Sequence, residues 1–224
     1  MKREIILTSD GSNSLFVESL NEHFHSHFGA LQESEHIFIR SGLCSPELIH
    51  LEKFSIFEMG LGTGLNAFLT YYRAQELKKK VFYESVELYP VMQEEYLQLN
   101  YTQLIKEKDA AVIFNKIHTC KWNIPQFLSQ NFILQKHALS ILNFDFPVEK
   151  YNLIYFDAFS PKAQPELWTK ALFEKLYSSL QPRGILVTYC TKGIVKNRLR
   201  EVGFEIEKLP GPVGKREVLR VKKV

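Results

Sequence analysis

The sequence predicts an α/β sandwich around a mostly parallel sheet, and three observations carry that prediction. Phe54-Ser-Ile-Phe-Glu-Met-Gly-Leu-Gly-Thr-Gly-Leu-Asn-Ala-Phe-Leu69 reads as an apolar strand, a glycine turn and the start of a helix. Tyr151-Asn-Leu-Ile-Tyr-Phe-Asp157 reads as a buried strand that ends in an acid. Strands and helices alternate through the middle of the chain and two strands close it, the order of a parallel sheet finished by a hairpin. The 224 residues suit one domain, and a 45% hydrophobic content can fill a sizeable core. No segment approaches the roughly 18 continuous apolar residues of a membrane helix. The run from Met1 to Asp10 is too short and too polar for a signal peptide. Cys44, Cys120 and Cys190 are far apart and form no C-x-x-C, which points to a reducing, cytoplasmic setting.

Taken in order, Glu4 to Leu7 predicts a short strand and Asp10-Gly-Ser12 a turn. Leu15 to Phe24 has helical spacing of apolar residues, and residues 25–39 read as a loop leading to a strand. His23, His25 and His27 alternate, but no paired Cys or further His with ligand spacing follows, so no metal is predicted and one or two of them are expected to line a pocket. After the strand from Phe54, a helix is predicted from Leu65 to Leu77, then a strand over Val81–Glu87. Pro90 to Lys106 reads as one helix, with proline in its first turn. Residues 109–131 give no clear period; Trp122 and Pro125 suit a loop. Phe132–Lys136 is a further strand. Pro165–Leu180 is a helix with Trp168, Leu172, Phe173 and Leu176 at core spacing. Pro182-Arg-Gly184 turns into a strand at Ile185–Tyr189, Gly193–Val202 is a helix, and the last strands are Phe204–Leu209 and Val218–Val221. The sheet so counted has seven strands.

The candidate site follows from the strand ends. In open parallel sheets, ligands bind at the carboxyl ends of the strands. Gly60, Gly62 and Gly64 let the backbone approach a ligand, and the helix start offers free N–H groups. The third glycine comes too early for the dinucleotide pattern G-x-G-x-x-G, and Leu65 stands beside the expected place. Glu58-x-Gly60-x-Gly62-x-Gly64 resembles instead the first motif of methyltransferases that use S-adenosylmethionine (SAM). Glu87 lies about 20 residues on, where an acid meets a ribose in a βαβ unit. Asp157 points into the same crevice. Net charge is +3, yet residues 192–224 hold ten basic and four acidic residues. That basic face suits nucleic acid or plain solvent.

Several segments together resemble the methyltransferase domain of the MnmC family, which finishes 5-methylaminomethyl-2-thiouridine at the tRNA wobble position. They are Asp10-Gly-Ser12, His25-Ser26, Gly29-Ala30, Glu33-Ser34, Gly60-Leu-Gly-Thr-Gly-Leu-Asn66, Val86-Glu-Leu-Tyr-Pro90, Asp157-Ala-Phe-Ser-Pro161, Pro165-Glu-Leu-Trp168 and Gly214-Lys-Arg-Glu217. The resemblance implies a Rossmann-like class I SAM-dependent fold with a mostly parallel seven-stranded sheet, an antiparallel edge strand and helices on both faces. It divides the chain into an N-terminal extension over 1–53, contributing to the substrate pocket, and a methyltransferase domain over 54–224. It implies a standalone form without the flavin oxidase, so that the aminomethyl group comes from another route, and SAM as methyl donor with neither metal nor flavin.

Glu58, Gly60, Gly62, Thr63, Gly64, Leu65, Asn66, Glu87, Leu88, His137, Ala138 and Asp157 are the expected SAM contacts, although His137 stands where many such enzymes carry an acid. Asp157 is expected to orient the amine and accept its proton. His25, Ser26, Glu33, Phe159, Pro161, Lys215 and Arg216 are expected to meet the tRNA anticodon region, Phe159 by stacking on the base and the two cations on phosphates. Rival expectations are a small-molecule amine methyltransferase, an aminopropyltransferase, or a non-catalytic RNA-binding adapter on the same fold.

Overall fold

The structure is a computed structural model and describes residues 2–224; Met1, the first residue of the N-terminal run, lies outside the described residues. Three short strands open the chain: β1 (Arg3–Leu7), β2 (Asn13–Val17) and β3 (Glu22–His23), paired antiparallel in that order. The helix expected over Leu15–Phe24 is therefore a hairpin. Leu15 and Val17 are both fully buried with Phe16 between them on the other face, a period of two, and Asn21 turns the chain with φ 50°.

The loop and strand expected over 25–39 are also replaced. Helix α1 (Ala30–Ser34) runs on into wide π-type turns over Glu35–Leu43. Its first residue is preceded by Gly29, which has no side chain to cap it. The caps come from far back: Ala30 N and Leu31 N donate to Ser12 Oγ, and Gln32 N donates to Asp10 Oδ2 at 3.0 Å. Ile37, Phe38, Leu43 and Leu48 then enter the main core beside Leu153 and Val187.

The main sheet holds β4 (Lys53–Met59), β5 (Lys80–Val86), β6 (Gln126–Ser129), β7 (Phe132–His137), β8 (Tyr151–Phe156), β9 (Leu180–Thr188), β10 (Phe204–Pro210) and β11 (Glu217–Lys223). Its order is β10-β11-β9-β8-β4-β5-β7-β6, with β9, β8, β4, β5 and β7 parallel. It has eight strands rather than seven, because β6 pairs antiparallel with β7 and forms one edge. Of the terminal pair, β11 is the antiparallel strand against β9 and lies one place in from the other edge, which β10 holds. Strand β9 starts before the expected Pro182–Gly184 turn, which is an irregularity within it.

The helices are α2 (Leu65–Glu76), α3 (Gln93–Tyr96), α4 (Tyr101–Leu104), α5 (Ala110–Thr119), α6 (Lys170–Ser179) and α7 (Gly193–Val202). The single helix expected from Pro90 to Lys106 is split into α3 and α4, and the unassigned 109–131 holds α5 and β6. Helix α6 follows a separate 3₁₀ turn at Pro165–Trp168. Two cores flank the sheet. One lies under α2 and α5 with Phe68, Tyr83 and Tyr155. The other lies under α6 and α7 with Phe57, Phe156 and Trp168. The strand order reverses between β4 and β8, so a crevice opens at their carboxyl ends. Among the described residues no helix is long and apolar enough to cross a membrane.

Candidate active site

A cavity of about 380 Å³ opens at that crevice. Its floor is the turn Gly60–Asn66 between β4 and α2. Gly62 has φ +51°, and a Cβ there would press on the Phe24 ring at 3.1 Å, so only glycine lets the N-terminal segment lie over the turn. Gly62 N donates to Glu87 Oε2 at 2.9 Å, and Tyr89 N to Glu87 Oε1 at 2.7 Å. Glu87 thus sits just past β5 with part of its surface open to the cavity.

Asp157 follows β8 on the opposite side. Its segment is pinned: Trp168 Nε1 donates to Phe159 O at 2.8 Å, and the Tyr189 hydroxyl to Ala158 O at 2.9 Å. Asn66 Nδ2 donates to Asp157 Oδ2 at 3.0 Å. Burial, then the neighbouring Glu33 charge, pushes the Asp157 carboxyl up to about 7, against the Asn66 hydrogen bond and the Lys215 charge, which pull it down. A carboxyl with that pKa can exchange a proton at neutral pH.

The other wall comes from both ends of the chain. Glu33 on α1 accepts from Ser26 N at 2.7 Å and pairs with Lys215 Nζ. Lys215 lies in the turn between β10 and β11, with its ammonium 4.1 Å from the Tyr189 ring centre. His25 is buried with Nδ1 2.8 Å from Ser14 Oγ. Burial, with help from the Lys215 charge, lowers its pKa to about 4 despite Glu33 and Asp10, so it is neutral at pH 7. Phe24 meets Phe159 edge-on with ring centres 5.1 Å apart.

Of the expected site residues, the structure gathers Gly60, Gly62, Thr63, Leu65, Asn66, Glu87, Leu88, Asp157, His25, Ser26, Glu33, Phe159 and Lys215 around the cavity. Six do not line it. Glu58 is wholly buried beneath the turn. Gly64 faces α5, where a Cβ would meet His118 and Ile117. The His137 side chain turns away to Glu84 Oε1, 2.8 Å distant. Burial raises the Glu84 carboxyl, but bonds from Lys150, Tyr151 and His137 outweigh it and hold its pKa below the ordinary value. Ala138 is exposed, and the lining passes to Leu139, Ile141 and Leu142 just after it. Pro161 lies in the turn that Ala163 N closes on Ser160 O. Arg216 is exposed and does not line the cavity. Lys215, expected on phosphates, is instead inside the cavity and paired. His23 and His27 line the cavity with His25, and among the described residues no three His, Cys, Asp or Glu gather as a metal site. Tyr189 is not among the expected site residues; its place as the last residue of the expected strand Ile185–Tyr189 is the sequence signal that points to it, and the structure sets it just past β9.

Residues 100–224 match the family described as S-adenosyl-L-methionine-dependent methyltransferase. The chain belongs to this methyltransferase family. Among curated proteins it is similar to the tRNA 5-methylaminomethyl-2-thiouridine biosynthesis bifunctional protein MnmC of Burkholderia mallei (strain NCTC 10229). The two are 29% identical over 212 residues, which cover 88% of this chain and 32% of that protein. The protein of the same name from Burkholderia pseudomallei (strain K96243) matches at the same values. This methyltransferase thus spans about a third of the length of the curated relatives it matches. Among solved structures, MnmC2 from Aquifex aeolicus aligns with a TM-score of 0.81 and 22% identity, covering 100% of this chain and 70% of that one. Spermidine synthase from Thermotoga maritima aligns with a TM-score of 0.57 and 14% identity, covering 100% and 75%. Both show the shared fold.

The residues of this methyltransferase fit its methyl donor. The cavity lies within the roughly 300–1,000 Å³ of small-molecule sites. It combines a glycine turn, an acid at a strand end and the apolar run Leu139–Leu142, features that suit the amino-acid, ribose and adenine parts of SAM.

Proposed function

We propose that this enzyme methylates the primary amine of 5-aminomethyl-(2-thio)uridine at the wobble position of tRNA, in the cytoplasm, giving the 5-methylaminomethyl form. The observation that carries the reading is Asp157: a carboxyl with a pKa of about 7, held by Asn66 on the donor side and facing Glu33 and Lys215 on the other. The names of the curated relatives supply the substrate class.

When bound, SAM supplies a methyl group on a sulfonium, ready for attack by a neutral amine. The chain's own residues do the rest. Glu87 would take the ribose hydroxyls, and the turn Gly60–Asn66 would hold the amino-acid end. Leu139, Ile141 and Leu142 would cover the adenine. Asp157 orients the amine and takes the proton that the nitrogen gives up. Holding the reacting groups in line is worth up to roughly 7–11 kcal/mol in well-oriented reactions. Phe159, with Phe24 edge-on against it, offers a face for the uracil. The segment 1–53 closes the acceptor side together with Phe159 and Lys215, and the rest of 54–224 carries the donor side.

Phosphate contacts fall to cations other than Lys215. Lys208, Arg220, Lys222 and Lys223 pair with Glu217, Glu207, Glu47 and Glu149. Lys162, Lys192 and Arg216 are exposed, follow lining residues closely in sequence, and hold no ion pair among the described residues. Transfer of labelled methyl from SAM to bulk tRNA lacking this modification, followed by nucleoside analysis, is the test. Label in 5-methylaminomethyluridine or its 2-thio form is the expected result. Label confined to another nucleoside, or none with SAM still bound, would overturn the substrate assignment.

A further inference from the structure

Directly beneath the glycine turn lies a group of polar side chains with no water access. Glu58, Tyr83 and Ser85 are fully buried and Asn66 is 4% exposed. Glu58 faces Ser85 across the β4–β5 pairing and Tyr155 across β4–β8. Both Glu58 carboxyl oxygens, Asn66 Oδ1, the Tyr83 hydroxyl and Ser85 Oγ complete no hydrogen bond, although Tyr83, Asn66 and Ser85 stand beside the Glu58 carboxyl. Tyr155 is already engaged with Thr70, 3.2 Å away. Among the described residues Glu58 has no cationic partner.

An ionised carboxylate here would carry an unpaired charge in a dry interior, at a cost far beyond that of an unmet hydrogen bond. It would also be an acceptor only. It would draw the second Asn66 amide N–H toward itself and leave Asn66 Oδ1 with no gain. The amide has Nδ2 on Asp157, completes no hydrogen bond to Glu58 and leaves Oδ1 over. The proton of a neutral Glu58 is a donor that suits the leftover oxygen. The Tyr83 and Ser85 hydroxyls can then donate to the other Glu58 oxygen, and all five atoms are satisfied by small shifts.

We propose that Glu58 stays protonated and bonds Asn66 Oδ1, so that Asn66 Nδ2 is fixed on Asp157; Glu58 is a positioning residue for the proton acceptor and not a ligand of the methyl donor. The inference rests on Asp157 being that acceptor. Burial, reinforced by the nearby Asp157 charge, raises the Glu58 pKa well above its ordinary value against Tyr83, Asn66 and Ser85, which pull it down. The groups that face Asp157 from the packed elements are Glu58 from β4, Tyr83 from β5, Tyr189 after β9, Glu33 from α1 and Lys215 from the β10–β11 turn. Of these, the Glu58–Asn66 arm is the one that delivers a hydrogen bond to the carboxylate.

The test compares Glu58→Gln, whose amide can donate as a neutral acid does, with Glu58→Leu, which cannot. Selectively ¹³C-carboxyl-labelled aspartate makes the Asp157 titration readable, since the chain holds only four aspartates, Asp10, Asp109, Asp145 and Asp157. Asp157→Asn assigns the signal. The expected result is an unmoved Asp157 titration in Glu58→Gln and a titration moved to higher pH in Glu58→Leu, because the Asn66 bond that favours the carboxylate is lost. SAM binding by calorimetry changes less than threefold in Glu58→Gln. Glu58→Gln also melts higher than the parent by a margin that grows between pH 5 and pH 8. The sign follows from linkage: the native acid keeps a proton that the unfolded chain loses as pH rises, so the acid is increasingly destabilising and its removal increasingly helpful.

A tenfold loss of SAM affinity in Glu58→Gln, or a melting margin that does not grow with pH, would show an ionised Glu58 and overturn the proposal. These readouts need no methyl acceptor. Normal turnover of Asp157→Asn would instead sink the role of Asp157 and leave the Glu58 measurements to stand alone.

Discussion

One wall of the cavity is made by neighbours in sequence, Gly60 to Asn66, with Glu87 bonded to Gly62 N. The facing wall gathers His25, Glu33 and Lys215 from opposite ends of the chain. The first is a backbone device, fixed by glycines and a helix start. The second is a side-chain device, fixed only after β10 and β11 have paired and α1 has docked. Under the proposed roles the glycine turn serves the donor locally while the acceptor wall is assembled from distant residues, and substitutions should separate the two.

The largest separation is expected at Asp157, which touches both walls. Asp157→Asn should lower kcat by roughly 10²–10⁴-fold, the usual scale of general acid–base catalysis, with SAM affinity by calorimetry unchanged. The parent should show an acid limb near pH 7, below which the carboxyl is protonated and turnover falls; the variant should show none. On the local wall, Glu87→Ala removes a charged hydrogen-bond acceptor worth about 1.5–3 kcal/mol, so SAM should bind roughly 10–100-fold more weakly. A matching loss of kcat at saturating SAM would blur the separation. On the distant wall, Lys215→Met keeps the stem over Tyr189 and removes the charge that holds the Asp157 pKa down. The acid limb should move above pH 7 and activity at pH 7 should fall several-fold, recovering toward the parent at pH 8.5. The smallest effect belongs to Arg216→Ala, outside both walls. It should weaken tRNA binding evenly across sequences and reduce the salt slope by about 1, with turnover at saturating tRNA intact.

The same contrast explains what could be read in the chain. The strands at Phe54, Val81 and Tyr151, the glycine turn and Asp157 announce themselves through consecutive residues, and their places in the fold agree with that reading. Helix α1 does not. Its capping groups, Asp10 and Ser12, lie near the start of the chain, so Gly29-Ala30 carries no local sign of a helix start. Helix α5 lacks a side-chain cap at its start, and its end is met by the buried Lys136 ammonium on Ile117 O and His118 O, again a distant partner. The apolar residues of Leu15–Phe24 fit both periods in so short a run, and pairing with β1 decides for the strand. Among the expected site residues, His137 turns from the cavity because the alternation of β7 aims it at Glu84. Lys215, expected on phosphates, is taken up by Glu33, in a pairing that spans most of the chain and leaves no local sign.

Gly214 has a consequence for how the enzyme comes into being. A Cβ there would lie 2.0 Å from the Phe28 ring, so the β10–β11 turn is seated directly on the N-terminal segment. During synthesis the donor cradle has all its residues long before Lys215 leaves the ribosome. Yet both cores take residues from β11, Val218 in one and Leu219 and Val221 in the other, so the seat of Lys215 and the packed sheet that carries the glycine turn are completed together.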